Sequence, residues 1–171
     1  MKLEIENTFQ NIIGFPLNGS SRSLDMAKFN FGKLIQGFDK WGNVTIEAEY
    51  SLHVQCSWRL SNQNKIITAS KDIYIPRSDI DFEDDDFEWE EEGMNRFDEL
   101  IESFLAEKKS KIYVSDTTAD NLGGIKVFFS DGTVLEIFPD ESTEDEFWRL
   151  FKPGKLDSHF VVTGLGIEKD C

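Results

Sequence analysis

The feature that most constrains the fold is an alternation of apolar and polar residues over the seventeen positions from Val44 to Leu60. Its apolar members are Val44, Ile46, Ala48, Tyr50, Leu52, Val54, Cys56, Trp58 and Leu60. A period of two predicts a β-strand with one buried face. A straight strand of this length would extend roughly 56 Å, whereas such a domain has a radius of gyration of only about 16 Å. We therefore predict a strong bend, or a bulge near Glu49 to Ser51, in an antiparallel sheet.

Further patterns predict an amphipathic helix, a hairpin and a short helix. Phe97, Leu100, Ile101, Phe104 and Leu105 follow the i, i+3, i+4, i+7, i+8 spacing of an amphipathic helix. Two runs rich in β-branched and aromatic residues flank Asp131-Gly132, which predicts a hairpin over 124–138. Capping-box matches beginning at Ser142 and Thr143 precede the sequence FWRLF and predict a short helix over about 143–151.

Together these elements predict an α+β fold in one domain spanning 1–171. The expected architecture is a mainly antiparallel, strongly bent β-sheet with one central amphipathic helix and a short C-terminal helix. Residues 65–75 are the expected hairpin partner of the long strand, and 159–168 are expected to form a final strand. Residues 1–23 are expected to be partly irregular, with a short helix ending near Gly14 and a turn at 18–21, and residues 76–93 to form an acidic loop.

The charge balance excludes several classes of partner. The chain carries 18 basic and 33 acidic residues, which gives a net charge of −15. Nucleic acids and anionic membranes both require a basic surface, so we expect neither as a partner. The sequence contains no apolar run of about 18 residues, and Glu4 and Glu6 interrupt the first apolar stretch, which does not resemble a signal peptide. We therefore expect a cytoplasmic protein.

The acidity is concentrated in one stretch, residues 79–92, which we call the acidic segment. Ten of its fourteen residues are acidic and none is basic, so the rest of the chain has a net charge of only −5. Three interpretations stay open: a solvated loop, a weak divalent-cation site that lacks the glycine of a calcium loop, and a docking surface for a basic protein. Under the docking interpretation, the candidate contact residues are Phe82, Asp84, Asp85, Asp86, Phe87, Glu88, Trp89, Glu90, Glu91 and Glu92.

His53 and Cys56 raise the question of a thiol active site. Strand residues three positions apart point to opposite faces, so we expect Cys56 among the apolar residues and His53 among the polar ones. A reactive thiolate needs an electropositive, partly exposed environment, which this pattern does not predict for Cys56. The expected role of Cys56 is structural.

The polar side of the same strand is a second candidate binding surface. His53, Gln55 and Arg59 would lie on one face of a sheet at intervals of roughly 7 Å. Such a row can bind an anionic group or the polar edge of a partner, and it can equally be the solvated face of a one-sided sheet. His159 would join the row only if the last strand lies next to it.

No other chemistry is marked in the sequence. Nucleotide-binding, hydrolase and zinc-protease motifs are absent, and two histidines and two cysteines at scattered positions do not form a zinc motif. With 33 carboxylates, a catalytic acid pair stays open, but nothing in the sequence marks two of them. We therefore expect no cofactor and no metal, assign no catalytic residue, and favour a binding protein over an enzyme. A small-ligand-binding domain or weak hydrolase using the face around His53 and Arg59 is the alternative.

Four segments carry a resemblance to known proteins. LHVQCSWRL at 52–60, GGIKVFFSDGTVLEIFPD at 123–140, FWRLF at 147–151 and HFVVTGLGIE at 159–168 resemble segments of a family of small uncharacterised bacterial cytoplasmic proteins. Some of these proteins are encoded beside toxin genes, in the manner of immunity proteins. The resemblance implies a bacterial, cytosolic, non-enzymatic protein whose partner is another protein. It provides no catalytic residues to carry over.

Overall fold

A computed structural model of the protein contains two antiparallel sheets and two α-helices, and it describes residues 1–38, 41–81, 87–155 and 159–168. The helices are α1 (Lys2–Phe9) and α2 (Arg96–Lys108), with short 3₁₀ helices at Gln10–Ile12 and Ser70–Tyr74. The strands are β1 (Leu17–Ser23), β2 (Met26–Phe38), β3 (Val44–Val54), β4 (Ser57–Ser61), β5 (Ile66–Ala69), β6 (Val114–Ala119), β7 (Ile125–Phe129), β8 (Val134–Phe138), β9 (Glu146–Phe151), β10 (Phe160–Thr163) and β11 (Gly166–Glu168).

The long alternating run is divided between the two sheets. One sheet has the strand order β1-β2-β3-β9-β10-β11 and the other β5-β4-β8-β7-β6. The chain leaves the first sheet after Val54, where the N–H groups of Gln55 and Cys56 both donate to the Phe147 carbonyl at 2.8 and 3.2 Å. The run therefore fits a small protein as two strands, β3 and β4. The predicted α+β class with antiparallel pairing is confirmed, but the single sheet is replaced by two.

An irregularity interrupts the pairing of β2 with β3. The register passes from Phe31↔Tyr50 to Leu34↔Ala48, so the extra residue lies on β2 rather than on β3. Gly32 occupies this position with φ +86°, and a Cβ there would lie 2.9 Å from the Glu49 Cβ. The bulge expected near 49–51 is thus present at that level of the hairpin, but on the partner strand.

Aromatic side chains join the sheets and helices into one core. The Phe29 ring from the first sheet contacts Trp58 from the second at 5.3 Å, and Trp58 contacts Phe97 of α2 at 5.6 Å. Phe9 of α1 contacts Trp148 of β9 at 5.5 Å. Large aromatic rings in edge-to-face contact bury much apolar surface per residue, which explains how a chain with 15 Phe and 4 Trp fills its core.

The predicted C-terminal helix is wrong. Residues 146–151 form β9, which pairs with β3 and β10. The Thr143 hydroxyl accepts a hydrogen bond from the Asp145 N–H at 3.3 Å, so it forms a local turn rather than a helix cap. Phe147 and Trp148 are both buried, and pairing between two strands outweighs the weak local helical signal.

Of the other local predictions, three agree with the structure and two do not. The amphipathic helix at Phe97–Leu105 is α2, and the Asp-Gly hairpin is β7–β8. The short N-terminal helix is present as α1, whereas 18–21, predicted as a turn, belong to β1. The single final strand is instead the hairpin β10–β11.

Candidate functional site

The acidic segment lies in a loop whose two ends are held together. Pro76 and Asn95 form an isolated antiparallel bridge, and the Arg96 N–H donates to the Ile75 carbonyl at 2.7 Å. The Arg77 N–H also donates to the Met94 carbonyl at 3.2 Å. The loop therefore leaves and re-enters the fold at one place, directly before α2.

Arg22 binds the C-terminal part of this loop from inside the protein. It lies on β1 and is only 3% exposed. Its Nη2 donates to the Glu91 carbonyl at 2.6 Å, and its Nη1 contacts the Glu90 carbonyl at 3.4 Å. Its Nε and Nη2 also donate to the Asp98 carboxylate of α2 at 3.0 Å. A planar guanidinium with five donors suits this combination of carboxylate and carbonyl acceptors.

Four glutamate side chains of the acidic segment project into solvent from this fixed backbone. They are Glu88, Glu90, Glu91 and Glu92, and all four are exposed. The Asp98 carboxylate accepts a further hydrogen bond from the Gly93 N–H at 2.8 Å, so the same ion pair fixes the end of the loop. Of the other predicted contact residues, Phe82, Asp84, Asp85 and Asp86 lie outside the described residues.

The two described aromatic residues of the segment, Phe87 and Trp89, face the protein more than the solvent. Trp89 packs against the core and contacts the Tyr74 ring at 5.0 Å. The Trp89 carbonyl accepts a hydrogen bond from the side chain of Asn95, the residue that caps α2. Phe87 is half-buried. Trp89 therefore anchors the loop to its own fold, and residues 88–92 expose four carboxylates.

The polar row expected to contain His53, Gln55 and Arg59 does not form one surface. His53 lies on β3 of the six-stranded sheet, and Arg59 lies on β4 of the other sheet. Arg59 Nε donates to Glu136 Oε2 at 2.5 Å, and Glu136 also binds Lys126 at 2.8 Å. Hydrogen bonding to Arg59 lowers the pKa of the Glu136 carboxyl. Gln55 lies in the link between the sheets, beside a cleft of about 240 Å³.

His53 and His159 are instead brought together through β9. The His53 ring contacts the Phe151 ring at 4.8 Å, and the His159 ring stacks on Phe151 at 4.5 Å. Arg149 Nη1 lies 3.4 Å from His159 Nδ1, and Arg149 also forms an ion pair with Glu146. Burial, together with the charges of Lys28 and Arg149, lowers the pKa of His53 to about 4. His53 is therefore neutral at pH 7 and a weak base.

Cys56 is buried, as the alternation predicts. Burial raises the pKa of its thiol to about 12, and the nearby carboxylates of Asp140 and Glu141 act in the same direction. The thiolate needed for nucleophilic catalysis is thus strongly disfavoured at neutral pH.

No pattern in the sequence marks Arg22 or Arg149 as a functional residue. Arg22 lies in the run LNGSSRS, where polar neighbours conceal its burial, and Arg149 lies in the segment predicted as a helix. The fold gives Arg22 its partners in α2 and the acidic segment, and it places Arg149 beside His159.

Within the described ranges, no group of three or more His, Cys, Asp or Glu residues could hold a metal ion. No helix in the described part of the chain is long and apolar enough to cross a membrane. Comparisons with protein-family models, with curated proteins and with solved structures gave no match. The resemblance to immunity-type proteins therefore stays a prediction.

Proposed function

We propose that this protein is an acidic binding module that docks a basic surface of another protein, in the manner of an immunity or antitoxin-like inhibitor. The observation that carries the proposal is the display of the glutamates at 88–92 on a backbone held by Arg22. Because the backbone is already ordered, binding loses less conformational entropy than it would with a free acidic loop. This part of the acidic segment is thus suited to present carboxylates in a fixed arrangement.

Electrostatics supports the same proposal. Four exposed carboxylates within five residues create a local negative field, which steers a cationic partner and raises the association rate. Enzymes that cleave nucleic acids have basic clefts that contact phosphates. Carboxylates placed in such a cleft would occupy the positions of those phosphates and block the substrate.

The alternative, a ligand-binding or weakly hydrolytic site around His53 and Arg59, has less support. The two residues lie in different sheets, and the Arg59 guanidinium is paired with Glu136. His53 has a pKa of about 4, so it is a poor general base at neutral pH.

The proposal can be tested with two variants that remove equal charge. The first replaces Glu88, Glu90, Glu91 and Glu92 by Gln. The control replaces four exposed glutamates elsewhere, Glu107, Glu141, Glu144 and Glu168, by Gln. Each protein is immobilised and exposed to a cytosolic extract of the source cells, and any basic protein retained by the wild type is then purified for affinity measurement.

We expect the first variant to bind that basic protein at least tenfold more weakly than the wild type, about 1.4 kcal/mol or more. The control variant should bind within a factor of about three of the wild type. Both variants lose the same net charge, so a larger loss in the first variant must come from the position of its glutamates. Equal binding by all three proteins, or failure of the wild type to retain a basic protein, would contradict the proposal.

A further inference from the structure

We propose that the hairpin formed by β2 and β3 is a self-association surface on which a second copy of this chain docks face to face. The relevant part, which we call the arm, consists of residues 33–38 of β2 and 44–48 of β3. It is separate from the acidic segment, and its role does not depend on the function proposed above.

The arm extends beyond the strands that flank it. β1 pairs with β2 only as far as Leu17↔Phe31, and β9 pairs with β3 only from Ser51 to Val54. Among the residues that the structure describes, the two strands of the arm pair only with each other. Within the described ranges, neither edge of this two-stranded ribbon has a further strand partner, an arrangement that natural proteins usually protect.

One face of the arm is apolar and exposed. The exposed fractions are 54% for Leu34, 66% for Phe38, 59% for Val44 and 64% for Ile46. The register pairs Phe38 with Val44 and Gln36 with Ile46, which puts all of these side chains on one face. This face is continuous with the side of β3 that faces the core. The bulge at Gly32 shifts the register of β2 by one residue, so that Leu34 lies on the same side of the hairpin as Phe31.

The composition of this face favours a second copy over a charged partner. Its six described positions are Leu34, Gln36, Phe38, Val44, Ile46 and Ala48, none of which is charged. Two copies that each carry −15 repel one another at long range, and a contact through uncharged side chains adds no further repulsion between like charges. A two-fold contact also requires a self-complementary surface. Apolar side chains satisfy that requirement, as does the Gln36 amide, which both donates and accepts hydrogen bonds.

The apolar face supplies about half of the area that a standard interface buries on each partner. Four large side chains, each more than half exposed, present on the order of 400 Å² of apolar surface. A patch of this size is comparable to the largest that soluble monomers expose, and such patches are often functional. A standard interface takes about 800 Å² from each partner, so the proposed dimer also needs contacts from Trp41, which is 75% exposed, and from the strand edges of the arm.

Sedimentation of the full chain from about 1 to about 200 μM tests the proposal, because this range brackets micromolar dissociation constants. The wild type should shift from monomer to dimer. Ile46→Lys should weaken dimerisation at least tenfold, because it places an unpaired ammonium in the contact. The control is Leu122→Lys, since Leu122 is 79% exposed outside the arm and its replacement should leave the dimer unchanged.

A second measurement locates the contact. Gln36 lies in the middle of the face, so Gln36→Cys in a Cys171→Ser background should give a disulfide-linked dimer on oxidation. Leu122→Cys in the same background should remain monomeric under the same conditions. A wild type that stays monomeric across the concentration range would overturn the proposal. So would an equal loss of dimer in the Ile46 and Leu122 variants.

Discussion

His53 and Cys56 are three positions apart in the chain, yet the fold gives them unrelated environments. Cys56 is buried and its pKa is raised to about 12, whereas the pKa of His53 is lowered to about 4. Both shifts favour the neutral form at pH 7, mainly because burial penalises charge. A thiolate–imidazolium pair would need the opposite shifts, so these two residues do not form a thiol active site.

The pKa of His53 predicts a specific pH dependence of stability. Between pH 6.5 and about 4 the unfolded state binds a proton at this residue and the folded state does not. The contribution of neutral His53 is therefore complete above pH 6.5 and is lost progressively as the pH falls toward 4. Because His53 is only half-buried, we discount the shift for solvent screening and expect a loss of about 1–2 kcal/mol.

Urea unfolding of the wild type and of His53→Gln at several pH values measures this effect. The difference between the two free energies of unfolding should change by that amount between pH 7 and pH 4, because the carboxylates titrate in both proteins and cancel. A difference that stays constant over this range would show that His53 titrates normally.

At the scale of the elements, one buried arginine, Arg22, connects the C-terminal part of the acidic segment to α2. Arg22 joins β1 to the Asp98 carboxylate and to the carbonyls of residues 90 and 91. The Asn95 side chain caps α2 by accepting a hydrogen bond from the Asp98 N–H at 3.0 Å. Asp98 therefore takes part in both the helix cap and the ion pair with Arg22. The loop backbone, α2 and β1 therefore depend on each other.

We expect Arg22→Met to destabilise the protein by about 3 kcal/mol, because it leaves the Asp98 carboxylate and two carbonyls without their buried donor. Arg59→Met is the matched control. It also removes an arginine from an ion pair, but the Arg59 side chain is 43% exposed. Because the Glu136 carboxylate keeps Lys126 at 2.8 Å, the loss of Arg59 should cost less than the loss of Arg22.

Digestion with a glutamate-specific protease provides a second measurement for the same pair of variants. Under native conditions Arg22→Met should be cut after residues 88–92 faster than the wild type, and Arg59→Met at the wild-type rate. Equal cleavage of all three proteins would contradict the proposed fixing of the loop.

At the scale of the whole molecule, two surfaces of opposite character serve the two proposed contacts. The acidic segment presents carboxylates, and the arm presents uncharged apolar side chains. Salt should change the two affinities in opposite directions. Screening weakens the attraction of the acidic segment to a cationic partner, and it also weakens the repulsion between two acidic copies.

Raising the salt concentration from about 0.1 M to about 1 M shortens the Debye length from about 10 Å to about 3 Å. Over this range we expect the basic partner to bind at least tenfold more weakly, and the dimer to associate severalfold more tightly. Calorimetry and sedimentation measure the two constants. A change in the same direction for both would show that one of the two surfaces has been assigned wrongly.

Several elements could be predicted from the sequence because their signals are local. The Asp-Gly turn fixes the β7–β8 hairpin, and the spacing of Phe97, Ile101 and Phe104 defines the apolar side of α2. The strand β9 could not be predicted, because FWRLF follows a capping-box sequence and its strand partners lie about 95 residues earlier and 10 later in the chain. Of the candidate site, the glutamates at 88–92 can be identified from the sequence, whereas Arg22, which holds their backbone, cannot.

By itself, the sequence determined which side chains of the 44–60 run share one apolar face, because a period of two assigns faces without reference to any partner. It also determined that the acidity is local. Only the tertiary structure decided that Val44 and Ile46 on that apolar face are exposed. It alone also decided that the run is shared between two sheets, that Arg22 holds the acidic loop and that His53 meets Phe151 rather than Arg59. These outcomes depend on which strands become neighbours, and strand pairing is set by the packing of the whole core rather than by local patterns.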